Sequence, residues 1–569
     1  MSNVMDRESR ELFAPEFPPE EWSPRDRFLL EPFATNMDGF VSVLHNLPPE
    51  IVGALCSRAS RAAKSLLRVL LEEYIYPIVN GENKELAREL ETIIQFFHKH
   101  GFRNILNNQR AQSFYVKWLS QYGDDSIAQM TGTHVVFWGI SQVALKFLED
   151  RRIGLEPIEK STRYVNFGNK VGGNYLYYTP RPDLESIGLL SEYRETLNHL
   201  FETYADLQPK LFEWLKRNFE EKDAVLEKKS FDTLRGLLPM ATLSQVAFRG
   251  NAQAFEYSIN RLTQYPLGEF RWIASALKAE LDKEIPSLLL RISDPKSEEY
   301  QRYLVAARTN VRDFIEKNKT RALFARDPVP VLKPEVRLVE YDLDSEKKIV
   351  AAILFPLLHK SWDETMEVAG NLSSEEKEGI FSFYPKYRTA RWYKVGRAFE
   401  NSYLRFEIVM NAGAYRDLQR HRMMTQERQL FSTRHGYDVP REIDEAGMKD
   451  SFCEALERAR VLFGKIEARD PELAQYVVPL AYRVRFYQWQ NFRQFFWESE
   501  LRTISQGHPD YRFIEQEKYR LAQEKFPSLT KHFLVDMNQY SFARRGTEEG
   551  MKEKEERLVR KLREKHRVG

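Results

Sequence analysis

The sequence predicts two diverged copies of one α/β unit fused in tandem, and three observations carry that expectation. At 569 residues, 42% of them hydrophobic, the chain exceeds what one small core organises and can fill two. Helix-like and strand-like patterns occur on both sides of a proline-punctuated break. An ordered series of five features also occurs twice. The first copy runs Arg151-Arg152, Ser161-Thr162-Arg163, Leu238-Pro239, a helix ending at Arg261, then Glu269-Phe270-Arg271. The second runs Arg420-His421-Arg422, Ser432-Thr433-Arg434, Val478-Pro479, a helix ending at Arg502, then Asp510-Tyr511-Arg512. Ten residues separate Arg261 from Arg271 and also Arg502 from Arg512. A period of roughly 250 residues marks a domain duplication rather than a solenoid.

Residues 1–35, acidic and proline-bearing, predict a mobile N-terminal arm. The first repeat spans 36–320. In it Ile51, Leu55, Leu66, Leu67, Leu70 and Leu71 recur at helical spacing. GISQVALKFLEDRR puts Ile140, Val143, Ala144, Phe147 and Leu148 on one helical stripe. Pro328, Pro330 and Pro334 predict a linker at 321–335. The second repeat, 336–545, opens with VRLVEY alternating as a strand. Asp344 follows as the N-cap of a helix carrying Ile349, Ala352 and Ile353. Residues 546–569, almost all charged, predict a solvated helix or frayed tail.

Composition removes several function classes. Eighty-five basic against eighty-three acidic residues leave a net charge of +2, so no global field favours nucleic acid or a membrane, and an anion site must be local. Cys56 and Cys453 form no CxxC pattern, which argues against a disulfide framework and a cysteine zinc site and fits a reducing cytoplasm. No signal-peptide core and no apolar run near the roughly 20 residues of a membrane helix occur, so the expectation is a cytoplasmic protein. Walker, GxGxxG and HExxH patterns are missing, and no metal site is expected. His98 and His100, one residue apart on a predicted helix, point to different sides. His134 reads as a core histidine, and Cys56 has no nearby histidine to activate it.

The segment AYRDLQRHRMMTQERQLFSTRHGYDVP, residues 414–440, is the most informative. It holds Arg416, Arg420, His421, Arg422, Arg428 and Arg434 within twenty residues. A guanidinium presents a fork of donors that matches phosphate oxygens two at a time, and Arg-His-Arg at a helix end concentrates donors on one anion. Alone, such a triplet is better read as a solvated basic face. The small residues Ala412, Gly413 and Ala414 before it allow close approach, and Ser432 with Arg434 after it suits a second phosphate. Downstream, QWQNFRQFFWESELRT supplies Asn491, Arg493 and, nine residues further, Arg502. Its aromatics Phe492, Phe495 and Phe496 read as core.

These motifs resemble the signature of flavin-dependent thymidylate synthases: RHR, a short spacer, S-x-R, then N-x-R with a later arginine. The spacer is two residues longer than usual; Glu427 and Arg428 compete for the place of its glutamate, and His435 stands where the family has tyrosine. Trp497 replaces a small polar residue or histidine. The first repeat keeps a different subset. Glu159, Ser161, Arg163 and Tyr164 match E-x-S-x-R-Y, and Arg235 before Leu-Pro resembles the arginine that meets dUMP, where the second repeat has Gln475. Arg151-Arg152-Ile153 replaces RHR, Gly250 and Ala252 stand in for N-x-R, and Asp124 in YGDDS replaces a histidine; Asp124-Asp125-Ser126 also reads as a helix cap.

The resemblance implies an α+β fold in two repeats, each a twisted mostly antiparallel sheet packed with helices. It implies FAD as cofactor and conversion of dUMP to dTMP with methylenetetrahydrofolate and NADPH. By the same resemblance Arg420, His421, Arg422, Asn491, Arg493 and Glu159 hold the cofactor. Ser161, Arg163, Arg235, Ser432 and Arg434 hold substrate, and Arg502 and Arg261 act at the phosphate or base of dUMP. The family's sites lie between subunits of a homotetramer, so two fused repeats imply a homodimer of pseudo-tetrameric layout and one composite site. The substitutions equally suit a flavin- or nucleotide-binding pseudoenzyme, or an enzyme for another pyrimidine.

Overall fold

The computed structural model describes residues 11–17, 20–101, 108–118, 126–150, 153–317, 333–540, 542, 557–561 and 564. Arg151, Arg152, Asp124, Asp125, most of the expected linker and most of the charged tail lie outside the described residues. Each repeat forms a four-stranded antiparallel sheet. The strands are β1 (Val41–Leu44), β2 (Gly132–Ser141), β3 (Leu155–Glu159) and β4 (Leu243–Asn251) in the first, and β5 (Glu335–Tyr341), β6 (Tyr403–Asn411), β7 (Met424–Arg428) and β8 (Arg483–Asn491) in the second. The orders, β1-β2-β4-β3 and β5-β6-β8-β7, are the same, so the α+β expectation holds.

One local device is used four times: a strand ends in a polar residue whose side chain accepts a hydrogen bond from the third backbone amide onward and starts a helix. Ser141 starts α1 (Gln142–Glu149), Asn251 starts α3 (Ala252–Thr263), Asn411 starts α5 (Ala412–Leu418) and Asn491 starts α7 (Phe492–Arg502). Each cap contributes about 1 kcal/mol. Gly139–Ser141, expected on the helix, instead finish β2, where Ile140 and Ser141 pair with Ser244 and Leu243.

The chain divides into two compact units, residues 1–329 with 430–482, and residues 330–429 with 483–569. Units and repeats thus divide the chain differently, because 430–482 of the second repeat belongs to the first unit. There α6 (Lys449–Glu467) packs on α2 (Leu190–Asn218), with Lys465 bonded to Glu192 at 2.6 Å and His199 to Glu454 at 2.8 Å. The two Leu-Pro and Val-Pro turns exchange backbone bonds reciprocally. Met240 N donates to Val478 O and Leu480 N to Leu238 O; Ala241 N donates to Tyr476 O and Ala481 N to Gly236 O. Equivalent residues contact equivalent residues, which is the pattern of an isologous interface held inside one chain.

Glu269, on α4 (Gly268–Asp282), is fully buried and accepts from Ser141 N, Ser141 Oγ and Tyr476 Oη, each at 2.7 Å. Burial outweighs these donors and pushes its pKa up to about 7. A carboxyl raised in the folded state binds its proton while the unfolded chain has lost it. Its contribution to stability is therefore full below about pH 4.5 and is lost as pH rises to about 7, by about 3 kcal/mol at most. Thermal melts of the wild type at pH 5 and 8 are expected to show this decline, and Glu269→Gln to show a smaller one. Equal slopes in the two proteins would count against it.

The second unit's core is aromatic, as expected. Phe492, Phe495 and Phe496 are buried, with Phe399 and Phe533 packed edge-on or tilted against Phe496. α8 (Pro509–Lys525) packs on α7 and β5. Among the described residues no helix is long and apolar enough to cross a membrane.

Candidate functional site

In the second unit a cavity of about 380 Å³ opens between the turn after α5, the first three turns of α7 and the segment 388–400. Arg420, His421, Arg422, Asn491, Arg493 and Arg502, six of the sequence-derived residues, all line it. β7 and β8 explain this convergence. β8 runs directly into α7 through the Asn491 cap, and the turn after α5 runs into β7, which pairs with β8 from Met424–Gln490 to Arg428–Phe486.

His421 is buried and is the hub of the floor. Arg502 Nε donates to His421 Nε2 at 2.8 Å, and the Gln494 side-chain amide is 3.1 Å from Nδ1. Burial pushes the imidazole pKa down to about 3, so the ring is neutral at physiological pH. His421 therefore positions Arg502 and adds no charge. Arg502 also lies 3.7 Å from Asp417 and 5.6 Å from the Tyr511 ring centroid. Arg493 donates to Val395 O at 3.0 Å and to Glu400 at 2.6 Å.

Below His421 lies a buried charge cluster. Lys518 donates to Glu515 at 2.9 Å, Glu498 at 3.1 Å and Gln488 Oε1 at 2.7 Å, and Glu498 is 3.9 Å from His421. Burial raises Glu515 to about 7, while Lys518 and Arg502 overcome burial and hold Glu498 below the usual carboxylate range.

Sequence reasoning missed one wall of the cavity. Arg388, Arg391 and Lys394 line it as well, so seven cationic side chains face it against one carboxylate, Glu400. Their spacing of three in RTARWYK is the signal that could have found them. Such a cavity, within the roughly 300–1,000 Å³ of small-molecule sites, concentrates donors for a polyanion.

The other expected residues lie in the first unit. Arg163 and Arg235 converge on Asp232, at 3.0 and 3.1 Å, beside Ser161, whose Oγ accepts from Arg163 N. Ser432 Oγ accepts from Arg434 N in the same kind of turn, and Arg434 pairs with Glu467 at 2.9 Å. That pair is partly exposed and contributes no more than about 1 kcal/mol, so a phosphate could recruit Arg434 at little cost. Glu159 is buried against Lys146 at 3.2 Å. Arg261 stacks on Phe147, 4.6 Å from the ring centroid. Gln475 keeps the contact pattern of Arg235, bonding the acid three residues before it, Glu472, at 3.0 Å.

Strand register decides one alignment that the sequence left open and corrects another. Glu159 sits opposite Val246 in one sheet and Arg428 opposite Phe486 in the other, so Arg428, not Glu427, takes the place of Glu159. Asn251 caps α3 as Asn491 caps α7, so the asparagine of N-x-R persists at Asn251 and Gln253 replaces the arginine. Aligning on Arg261 and Arg502 had shifted this by one residue. Cys56 is buried with its thiol pushed up to about 11 by desolvation, which makes it a poor nucleophile.

A duplicated α+β scaffold with an arginine-lined cavity defines a protein shaped to receive a small polyanion. The profile of the thymidylate synthase complementing protein family matches residues 58–287 and again 337–528, and the chain belongs to that family. It is 35% identical to a UPF0159 protein of Chlamydia muridarum over 87% of this chain and 91% of the relative. It is 29% identical to one of Thermoplasma acidophilum over 78% and 92%. Among solved structures, the UMP/dUMP methylase PolB from Streptomyces cacaoi, bound with 5-Br dUMP, matches at 16% identity and TM-score 0.29, over 36% of this chain and 96% of that one.

Proposed function

We propose that the protein is a flavin-dependent thymidylate synthase-type enzyme that reductively methylates dUMP to dTMP with methylenetetrahydrofolate and NADPH. The observation that carries this reading is the gathering of Arg420, His421, Arg422, Asn491, Arg493 and Arg502 from two distant stretches of chain onto one cavity. The cavity fits the phosphate-bearing part of FAD in charge and size. Arg420, Arg422 and Arg493 would hold it, with His421 fixing Arg502 through its neutral ring. Bound flavin would supply the hydride that reduces the transferred methylene group. The chain's own work is to bind anions and orient Arg502 through His421. Arg502 would stabilise negative charge that develops on the acceptor. Arg163 and Arg235, already neutralised in part by Asp232, suit a nucleotide phosphate.

One observation favours a second reading, a binding protein without turnover: Arg428 inverts the charge found at Glu159 on the equivalent strand. Purified protein is expected to be yellow and to release tritium from dUMP labelled at C5, dependent on folate and NADPH. Arg420→Ala/Arg422→Ala is expected to lose the flavin absorbance. A yellow protein with no tritium release would select the second reading. A colourless protein to which added FAD does not bind would refute both.

A further inference from the structure

We infer that Trp497, Arg391 and Lys394 form a second subsite of the cavity, which takes a planar heteroaromatic ring carrying an adjacent anionic group. The inference rests on reading the cavity as a polyanion site. Trp497 lies one turn beyond Arg493 on α7, so both side chains meet the same cavity. Its indole is not packed into the aromatic core formed by Phe492, Phe495 and Phe496. Instead the Lys394 ammonium lies 4.6 Å from its ring centroid, at the cavity wall.

The opposing segment is held in place. The Arg388 side chain is largely covered and bonds Glu500 on α7 at 2.7 Å, and its guanidinium also donates to the carbonyls of Tyr393 and His532. Val395 O accepts from Arg493. Arg391 and Lys394 therefore project from a backbone pinned to α7 on either side of them. Neither has a carboxylate within ion-pair reach among the described residues, in contrast with Arg388 and Arg493.

An aromatic face beside two uncommitted cations is complementary to a ring and an anion in one ligand. The ring would replace the ammonium over the indole, and Lys394 would turn to the anionic group with Arg391. Cation–π contact at a partly exposed site is weak enough to be exchanged in this way. Two ligand classes share this chemistry: a nucleotide base with its phosphates, and a pteridine with its glutamate carboxylates.

The test uses the full chain and three probes, ADP, folic acid and inorganic pyrophosphate, titrated by calorimetry against wild type, Trp497→Leu and Arg391→Ala/Lys394→Ala. Trp497→Leu is expected to weaken ADP or folic acid by about tenfold while leaving pyrophosphate unchanged, as loss of ring stacking would. The double variant is expected to weaken pyrophosphate as well as whichever ring ligand responds. The responding ligand identifies the class. The inference is overturned if Trp497→Leu binds both ring ligands within about twofold of wild type, or if the double variant binds all three probes unchanged. Flavin content of the same preparations separates this result from the fate of the flavin reading. A protein without flavin in which Trp497→Leu still weakens a ring ligand leaves the subsite standing and removes only the cofactor.

Discussion

Lys518→Met is expected to be among the most destabilising single changes in the second unit. Lys518, Glu498 and Glu515 are each fully buried, and the ammonium bonds both carboxylates and the Gln488 carbonyl. Removing one partner of a buried ion pair costs about 3–5 kcal/mol, because the charge left behind has neither water nor a counter-ion. A surface pair would cost less than about 1 kcal/mol, so the two cases separate cleanly. The sign with pH follows. Without Lys518 the folded pKa of Glu498 rises, the folded state then binds more protons than the unfolded chain, and the variant regains stability as pH falls. Glu498→Gln added to Lys518→Met removes the stranded charge and should recover part of the loss. Thermal melts of the three proteins at pH 5 and 8 test this. A single variant melting within about 2 °C of wild type would refute the cluster's role.

How far the sequence could be read depended on the kind of signal. The duplication was legible because its markers are structural. Glu269 bonds Ser141, and its counterpart Asp510 accepts from Asn411 at 2.6 Å; the Leu-Pro and Val-Pro turns bond each other; Arg512 is buried and donates to Thr503 O and Asn538 O. The RHR and N-x-R residues were legible because the chemistry of anion binding demands particular side chains at particular helix ends. The wall at Arg388, Arg391 and Lys394 was not, because nothing local distinguishes a solvated arginine from one tied to Glu500, 112 residues on. The same limit applied to His421. Its neutral state is set by burial against α7 and by Arg502, which sequence spacing does not record. The one-residue misplacement of Asn251 had a different cause, since matching arginines were taken as the anchor where the helix cap was the fixed point.

Arg502→Ala is expected to have the largest effect on ligand binding. Arg502 joins three parts of the site: its Nε holds His421, its guanidinium approaches Asp417, and it faces the cavity. Truncation removes a cation that would bond a phosphate or a developing oxyanion, an interaction of about 1.5–3 kcal/mol per charged hydrogen bond. It also leaves the Nε2 of buried His421 without that donor, at about 1–3 kcal/mol, and so loosens one of the contacts that fix the floor of the cavity. The first term alone predicts a loss of affinity of about 10- to 100-fold for FAD or dUMP, whichever occupies the cavity. Arg502→Lys discriminates charge from geometry. It keeps the charge but not the fork of donors, so it cannot hold His421 and an anion together. If Arg502 acts as a hub, lysine should recover little of the affinity; if it acts only as a positive charge, lysine should recover most. Equilibrium dialysis with FAD and with dUMP at fixed ionic strength separates the two, and wild-type affinity in the alanine variant would remove Arg502 from the site altogether.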